Sequence, residues 1–196
     1  MQILQFESSA AFRRWLSENH AASDGFWLRF FKKGSKSKSL THAEALDQAL
    51  CHGWIDGQAK SFDEQSWLQK FTPRRPQSGW SKINTQHVER LVKAGSMNPA
   101  GLAAVEAAKA DGRWQAAYDS PRNARPPEDL LSALEKNKKA KAFFNGLSRV
   151  NVYSILYRLQ TAKKPATREK RMKLILDMLT QGKTFHPQPD TNEHGK

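Results

Sequence analysis

A cysteine, a histidine and an aspartate lie close together in the segment Ala49–Gly57. They are Cys51, His52 and Asp56, and their thiol, imidazole and carboxylate are groups used in nucleophilic catalysis. A cysteine attacks as its thiolate, so a neighbouring base would have to activate Cys51. Adjacent side chains on a helix diverge by about 100°, which keeps Cys51 and His52 apart. We therefore predict that Cys51 is a small buried residue at a helix end, and we assign no catalytic residue.

A second group of residues is a candidate ligand pocket, with two tryptophans as its wall and polar groups converging on it. The group consists of Trp54, Asp56, Arg74, Trp80, Ser81, Lys82 and Asn84. Pockets combine apolar walls with a few polar groups, and Arg can grip two oxygens of a carboxylate or phosphate. The competing interpretation is a tryptophan-rich core in which Asp56 pairs with Arg74 for structural reasons. A small-molecule enzyme that uses this region together with Cys51 is a third alternative.

Positive charge is concentrated in one stretch of the chain. Residues 136–173 contain twelve Lys or Arg and one acid, Glu169, which leaves this stretch with +11 of the net charge of +13. Such a field attracts nucleic acid, anionic lipid or an acidic protein surface, whereas a solvated basic face is the alternative interpretation. The cations expected to face an anionic partner are Lys138, Lys139, Lys141, Lys163, Lys164 and Arg168.

The aromatic residues of this stretch allow a nucleic-acid-binding module as an alternative. In that case the cations would contact phosphates while the rings stack on bases. The rings belong to Phe143, Phe144, Tyr153 and Tyr157. Phe143 and Leu147 recur at helical spacing, which favours packing in a core. An anionic small molecule or an acidic protein is therefore the preferred partner.

Metal and cofactor chemistry have little support in the sequence. The six histidines include no pair four residues apart, and the single cysteine forms no Cys-x-x-Cys pair. There is no Gly-rich phosphate loop, dinucleotide fingerprint or Gly-x-Ser-x-Gly elbow. We expect neither a metal nor an obligatory cofactor.

The residue pattern predicts a cytoplasmic protein. Residues 1–7 do not combine a basic start with a long apolar run, and no later run approaches about 18 apolar residues. One cysteine excludes an intramolecular disulfide, which agrees with a reducing compartment.

Local patterns predict an α+β fold, with a small antiparallel sheet and flanking helices in the N-terminal half and a helical C-terminal half. Capping residues and helical spacing predict helices that include 9–19, 42–52, 85–94, 99–111 and 166–181. Short aromatic or β-rich runs predict strands at 26–31, 59–63 and 67–72. Trp54–Asp56 is predicted to be a turn, and Asn84 is predicted to cap the helix at 85–94.

Six motifs follow one another along the chain. They are Phe12–Leu16, Ala49–Gly57, Phe71–Arg74, Ser78–Asn84, Ala108–Trp114 and Ala162–Arg168. Together they resemble the bacteriocin-protection, YdeI/OmpD-associated protein family, and the resemblance extends to about residue 182. It implies protection against bacteriocins or antimicrobial peptides, stress resistance and a link to an outer-membrane porin, with no defined reaction. On this basis we expect a non-enzymatic protein.

The chain is predicted to form two lobes and a tail. Residues 1–118 form an α+β lobe that contains the tryptophan-rich motifs, and residues 126–183 form a basic helical lobe of the OmpD-associated type. The loop between them is a candidate flexible joint. Residues 186–196 are short, polar and terminal, which predicts a disordered tail.

Overall fold

The computed structural model describes residues 1–35, 37 and 39–188. The chain divides into two compact units, Met1–Ala117 and a helical unit that begins at Tyr118. The described strands all lie in the first unit and helices lie in both, which confirms the predicted α+β class. The predicted lobe boundaries at 118 and 126 stay a prediction. Of the predicted tail, residues 189–196 lie outside the described residues.

The first unit contains a four-stranded sheet. Its strands are β1 (Ile3–Leu4), β2 (Phe26–Phe31), β3 (Trp54–Ser61) and β4 (Ser66–Pro73). Their order is β1-β2-β4-β3; β4 pairs antiparallel with both neighbours, and the short β1 pairs parallel with β2.

The predicted turn at Trp54–Asp56 is wrong, because these residues belong to β3. Trp54 lies opposite Pro73 and Asp56 lies opposite Phe71. The change of direction after the preceding helix occurs at Gly53, whose φ of +73° is a conformation that favours glycine. The strand can therefore begin immediately after this residue.

Four described helices lie in each unit. The first unit contains α1 (Ser9–Asn19), α2 (His42–Cys51), α3 (Lys82–Lys93) and α4 (Pro99–Ala110). The helical unit contains α5 (Glu128–Glu135), α6 (Lys138–Asn145), α7 (Arg149–Gln160) and α8 (Pro165–Thr180). The predicted cap at Asn84 is wrong: α3 begins at Lys82, and the Ser81 hydroxyl accepts a hydrogen bond from the backbone N–H of Asn84. Serine and asparagine are comparably good caps, so local preference did not separate them.

Helix α2 lies between two apolar clusters of the first unit. Ala45 and Ala49 belong to an aromatic cluster that includes Phe12 and Phe26 and packs against the sheet. Residues one position further along α2 belong to a second cluster with α3 and α4. That cluster includes Leu46, Leu50, Cys51, Trp80, Val88 and Val105. Two faces of one helix thus anchor both clusters.

Helices α2 and α4 meet at a glycine. A Cβ added at Gly101 would lie 2.2 Å from the backbone oxygen of Cys51, so only glycine allows this approach. The same oxygen accepts a hydrogen bond from the N–H of Asn98, the cap of α4. This contact fixes the end of α2, where Cys51 and His52 lie.

We predict that Gly101→Ala lowers the free energy of unfolding by about 1–3 kcal/mol, because the added methyl group overpacks the contact between backbones. Urea unfolding followed by circular dichroism measures the change. Gly57→Ala is the matched control, since its added Cβ would meet nothing closer than 3.8 Å. Equal stability of the Gly101→Ala variant and the wild-type protein would contradict the proposed close packing.

Candidate functional site

Cys51 and His52 do not form a nucleophile–base pair. Cys51 is 1% exposed, which confirms the predicted burial. Burial, and secondarily the carboxylate of Asp47, raise the pKa of the Cys51 thiol to about 11. The Nδ1 of His52 donates to the backbone oxygen of Gln48 at 2.8 Å, and burial lowers the pKa of this imidazole. The thiol is therefore inaccessible and protonated at neutral pH.

The two tryptophans of the predicted pocket belong to different clusters. Trp54 is 1% exposed in the aromatic cluster, and its indole N–H donates to the backbone oxygen of His20. Trp80 is 2% exposed in the other cluster, with its ring 5.0 Å from that of Trp114. The indole nitrogen of Trp80 is buried and has no hydrogen-bond partner within the part of the chain that the structure describes.

Arg74 is the polar candidate that the structure brings to Trp80. Its guanidinium lies over the Trp80 ring, 3.7 Å from the ring centroid, and its Nη2 donates to the Gly79 oxygen at 2.6 Å. Stacking of this kind suits the planar charge of Arg. The carboxylate of Asp56 lies instead 3.1 Å from Nε2 of His42, at the beginning of α2.

The remaining pocket candidates lie at the beginning of α3. Ser81 caps the helix: its hydroxyl accepts a hydrogen bond from the backbone N–H of Asn84. Lys82 is the first residue of the helix and is exposed. Arg74, Trp80 and these three residues thus lie in neighbouring segments, whereas Trp54 and Asp56 belong to β3. A ligand pocket formed by the seven residues stays a prediction.

The sequence reasoning missed Arg113, which organises this region. Its side chain is buried, its Nε contacts both carboxylate oxygens of Asp111, and its Nη1 donates to the Ser78 oxygen at 2.9 Å. The backbone just before Trp80 is therefore anchored by a charged group from beyond α4. Arg113 lies in the Gly112–Trp114 part of one of the six motifs, but the sequence did not indicate that its side chain contacts the backbone at Ser78.

Two of the six predicted surface cations form ion pairs within the helical unit. Arg168 contacts Asp129 through Nε and Nη2 at 2.7 and 2.8 Å, and its Nη1 donates to the Leu159 oxygen. This contact holds the pKa of Asp129 below its usual range and raises that of Arg168. Lys141 lies 2.5 Å from the carboxylate of Glu135.

The other four cations are exposed lysines that occur as two pairs of neighbours in the sequence, and we call them the terminal lysines. Lys138 and Lys139 begin α6, while Lys163 and Lys164 directly precede α8. The side chain of Asn137 donates to the Thr180 hydroxyl at 2.9 Å, which brings the beginning of α6 to the end of α8. The two pairs therefore lie at opposite ends of α8.

The distance between the pairs follows from helix geometry. Helix α8 has 16 residues, which corresponds to a length of roughly 24 Å at about 1.5 Å per residue. A small anion therefore cannot contact both pairs at once.

A groove of about 690 Å³ runs beside α8 in the helical unit. Its charged lining residues are Asp129, Glu169, Asp177, Arg168 and Lys173. Three carboxylates thus accompany two cations, and one of these cations already contacts Asp129. The charges of this groove largely compensate one another, so it has no preference for an anion.

The phenylalanines of the basic stretch and Tyr153 belong to the apolar cluster of the helical unit or pack against it. Phe144 is buried, and Phe143 packs against the same apolar cluster of the helical unit. Tyr157 is more exposed, but the Tyr118 ring lies edge-on to it at 5.0 Å. The helical spacing of the phenylalanines therefore reflects core packing.

Within residues 1–35, 37 and 39–188, there is no cluster of three or more His, Cys, Asp or Glu suited to a metal ion. Across these described residues, no helix combines the length and apolar character needed to cross a membrane.

Comparison with known proteins divides the chain into two matched regions. Residues 4–104 match the family described as Domain of unknown function (DUF8412). Residues 123–182 match the family described as Bacteriocin-protection, YdeI or OmpD-Associated, which confirms the resemblance for the helical unit. No curated protein and no solved structure matched the chain.

We predict that iodoacetamide at pH 8 leaves Cys51 unlabelled in the native protein and labels it in urea. The thiol is buried, and its pKa of about 11 leaves almost no thiolate at that pH. Mass spectrometry measures the extent of labelling. A Cys51→Ala, Lys93→Cys variant is the control, because its thiol stands at an exposed position and should react without urea.

The raised pKa of Cys51 also predicts how the free energy of unfolding changes in alkaline solution. The unfolded thiol loses its proton near pH 9.0, whereas the folded thiol keeps it to about pH 11. Unfolding therefore releases a proton in this window, and the free energy of unfolding contributed by Cys51 falls as the pH rises. Native labelling as fast as labelling in urea would contradict both the burial and the raised pKa.

Proposed function

Since the chain belongs to the family of domains described as DUF8412 and its helical unit matches the bacteriocin-protection, YdeI or OmpD-associated family, we propose that it is a non-enzymatic protection protein. It contributes to resistance against bacteriocins or antimicrobial peptides, and to stress resistance, by binding an acidic protein partner. The terminal lysines contact this partner.

One observation carries the proposal: the terminal lysines lie within the matched region and are exposed at both ends of α8. Their spacing favours an extended partner over a small molecule. Attraction between separated surface charges acts over roughly 10 Å at ordinary salt, so each lysine pair senses its own part of the partner. Rim charges of this kind mainly raise the association rate and the specificity of a complex.

The net charge of +13 also bears on how protection would occur. A protein with this charge repels cationic peptides and attracts anionic surfaces. Direct capture of a cationic antimicrobial peptide is therefore disfavoured, and protection through an acidic protein of the cell is favoured. The absence of an intramolecular disulfide supports a cytoplasmic setting for this interaction, because reducing compartments disfavour such bonds.

Burial of Cys51 supports a binding role over catalysis. Its protonated, inaccessible thiol lacks the thiolate that a cysteine nucleophile requires. Trp54 and Trp80 are both core residues, so they offer little surface to a substrate.

We predict that expression of the full chain in a sensitive bacterium raises survival in a cationic antimicrobial peptide, and that removing the terminal lysines abolishes this effect. The test variant is K138Q/K139Q/K163Q/K164Q, which loses four positive charges from the contact surface. The matched control is R14Q/K33Q/R75Q/K93Q, which loses four exposed charges from the first unit. Colony counts after exposure measure survival, and thermal unfolding confirms that both variants fold.

Protection by the wild type and the control, but not by the test variant, is the expected result. Equal protection by both variants would contradict the role of the terminal lysines. Absence of protection by the wild type would contradict the protection function itself. Tighter binding to duplex DNA than to poly-L-glutamate at equal salt would replace the acidic protein with nucleic acid as the partner.

A further inference from the structure

A second groove of the helical unit has a different character from the groove beside α8. It encloses about 740 Å³ between the loop that precedes α5 and the first turns of α7. Its apolar lining includes Leu147, Val152 and Leu156. Its cations are Arg122, Arg125 and Arg149. We call this depression the arginine groove.

The loop that carries two of these arginines is tied down by its own backbone. The Ser120 oxygen accepts hydrogen bonds from the N–H groups of Asn123 and Ala124, and the Ala124 side chain is buried in the core of the helical unit. The Nη1 of Arg125 donates to the backbone oxygens of Arg122 and Ala124 at 3.3 and 3.2 Å. The backbone that carries both arginines is thus fixed on one wall of the groove.

The third arginine comes from a separate element. Arg149 is the first residue of α7, whose cap is Ser148. The beginning of a helix carries partial positive charge, and no acidic residue occupies the first turn of α7. The helix end and the Arg149 side chain therefore add positive potential to the same groove.

Among the described residues that line the arginine groove, none is Asp or Glu. Tyr153 adds no negative charge at neutral pH, since a phenol is protonated there even at its ordinary pKa of 10.0 and burial above all raises the pKa of Tyr153 to about 12. Its hydroxyl donates to the Asp119 backbone oxygen. The carboxylate of Asp119 accepts a hydrogen bond from Nε2 of Gln160. Three arginines thus line one apolar depression, in contrast to the compensated charges of the groove beside α8.

We propose that the arginine groove binds a small amphipathic anion, with a phosphate or carboxylate head group on the arginines and an aliphatic body on Leu147, Val152 and Leu156. Arg is suited to this role because its planar fork pairs with two oxygens of such a head group. The volume of the groove falls in the range of small-molecule pockets, about 300–1,000 Å³. This site is separate from the terminal lysines, so the inference goes beyond the proposed function.

Hexyl phosphate is the probe, with inorganic phosphate and 1-hexanol as the charged and apolar halves of the same molecule. Isothermal titration calorimetry should give an affinity for hexyl phosphate about tenfold or more above that for either half, because head group and chain bind together. R122Q/R125Q/R149Q should lower this affinity by about tenfold or more. Hexanoate in place of hexyl phosphate distinguishes a carboxylate from a phosphate head group.

K138Q/K139Q/K163Q is the matched control, because it removes three charges from the helical unit outside the groove. It should keep the affinity for hexyl phosphate, and its result is independent of the survival assay. An equal loss of affinity for hexyl phosphate in both triple variants would mean that only the overall positive charge of the helical unit matters. That result would overturn the proposed site. Binding of either half as tight as that of hexyl phosphate would also overturn it. The single variants R122Q and R149Q serve if the triple groove variant fails to fold, and both should weaken binding.

Discussion

The helical unit folds with far more positive charge than its own carboxylates can neutralise. Arg168 pairs with Asp129. Other cations donate hydrogen bonds to backbone oxygens. Nη1 of Arg171 donates to the Arg158 oxygen at 2.6 Å. Arg158 donates to the Ser154 oxygen, and its guanidinium lies over the Phe185 ring. These contacts stabilise the junction of α7 and α8. The charges that remain must face water or a partner, and the proposed function and the site proposed at the arginine groove both rest on this excess of positive charge.

The first unit depends on apolar packing more than on charge, and the residues that stand out in its sequence mostly belong to its core. Helix α2 contributes one face to each of two apolar clusters, and its end is pressed against Gly101. Cys51 and His52 lie at that end, which explains why both side chains are buried. A segment that appears chemically reactive in the sequence is therefore explained by the way two helices meet. Arg74 and Arg113 add charged groups that hold the backbone around Trp80.

Local signals predicted most of the elements because they depend on neighbouring residues. The helices predicted to begin at residues 9, 42 and 99 do begin there. Each start has a local cause: the cap at Ser8, the capping box of Thr41 and Glu44, and the cap and proline at Asn98 and Pro99. The errors arose where residues distant in the sequence determine the local structure. Trp54–Asp56 becomes a strand because it pairs with the end of β4, which local turn propensity does not register.

The functional residues divide in the same way. The excess of charge at 136–173 was evident from composition, whereas the pairing of Arg168 with Asp129, 39 residues away, was not. The arginine groove escaped the sequence reasoning because Arg122 and Arg125 lie in a loop far along the chain from Arg149, and no periodic pattern links them. Folding of α7 against the preceding loop brings them to one surface.

The most direct test of the central claim is to map where an acidic polypeptide contacts the full chain. Titration of the 15N-labelled protein with poly-L-glutamate, followed by amide chemical shifts, should move the signals of Lys138, Lys139, Lys163 and Lys164 first. Shifts of equal size across the cations of the first unit would mean that only net charge matters. That result would contradict a partner surface at the two ends of α8.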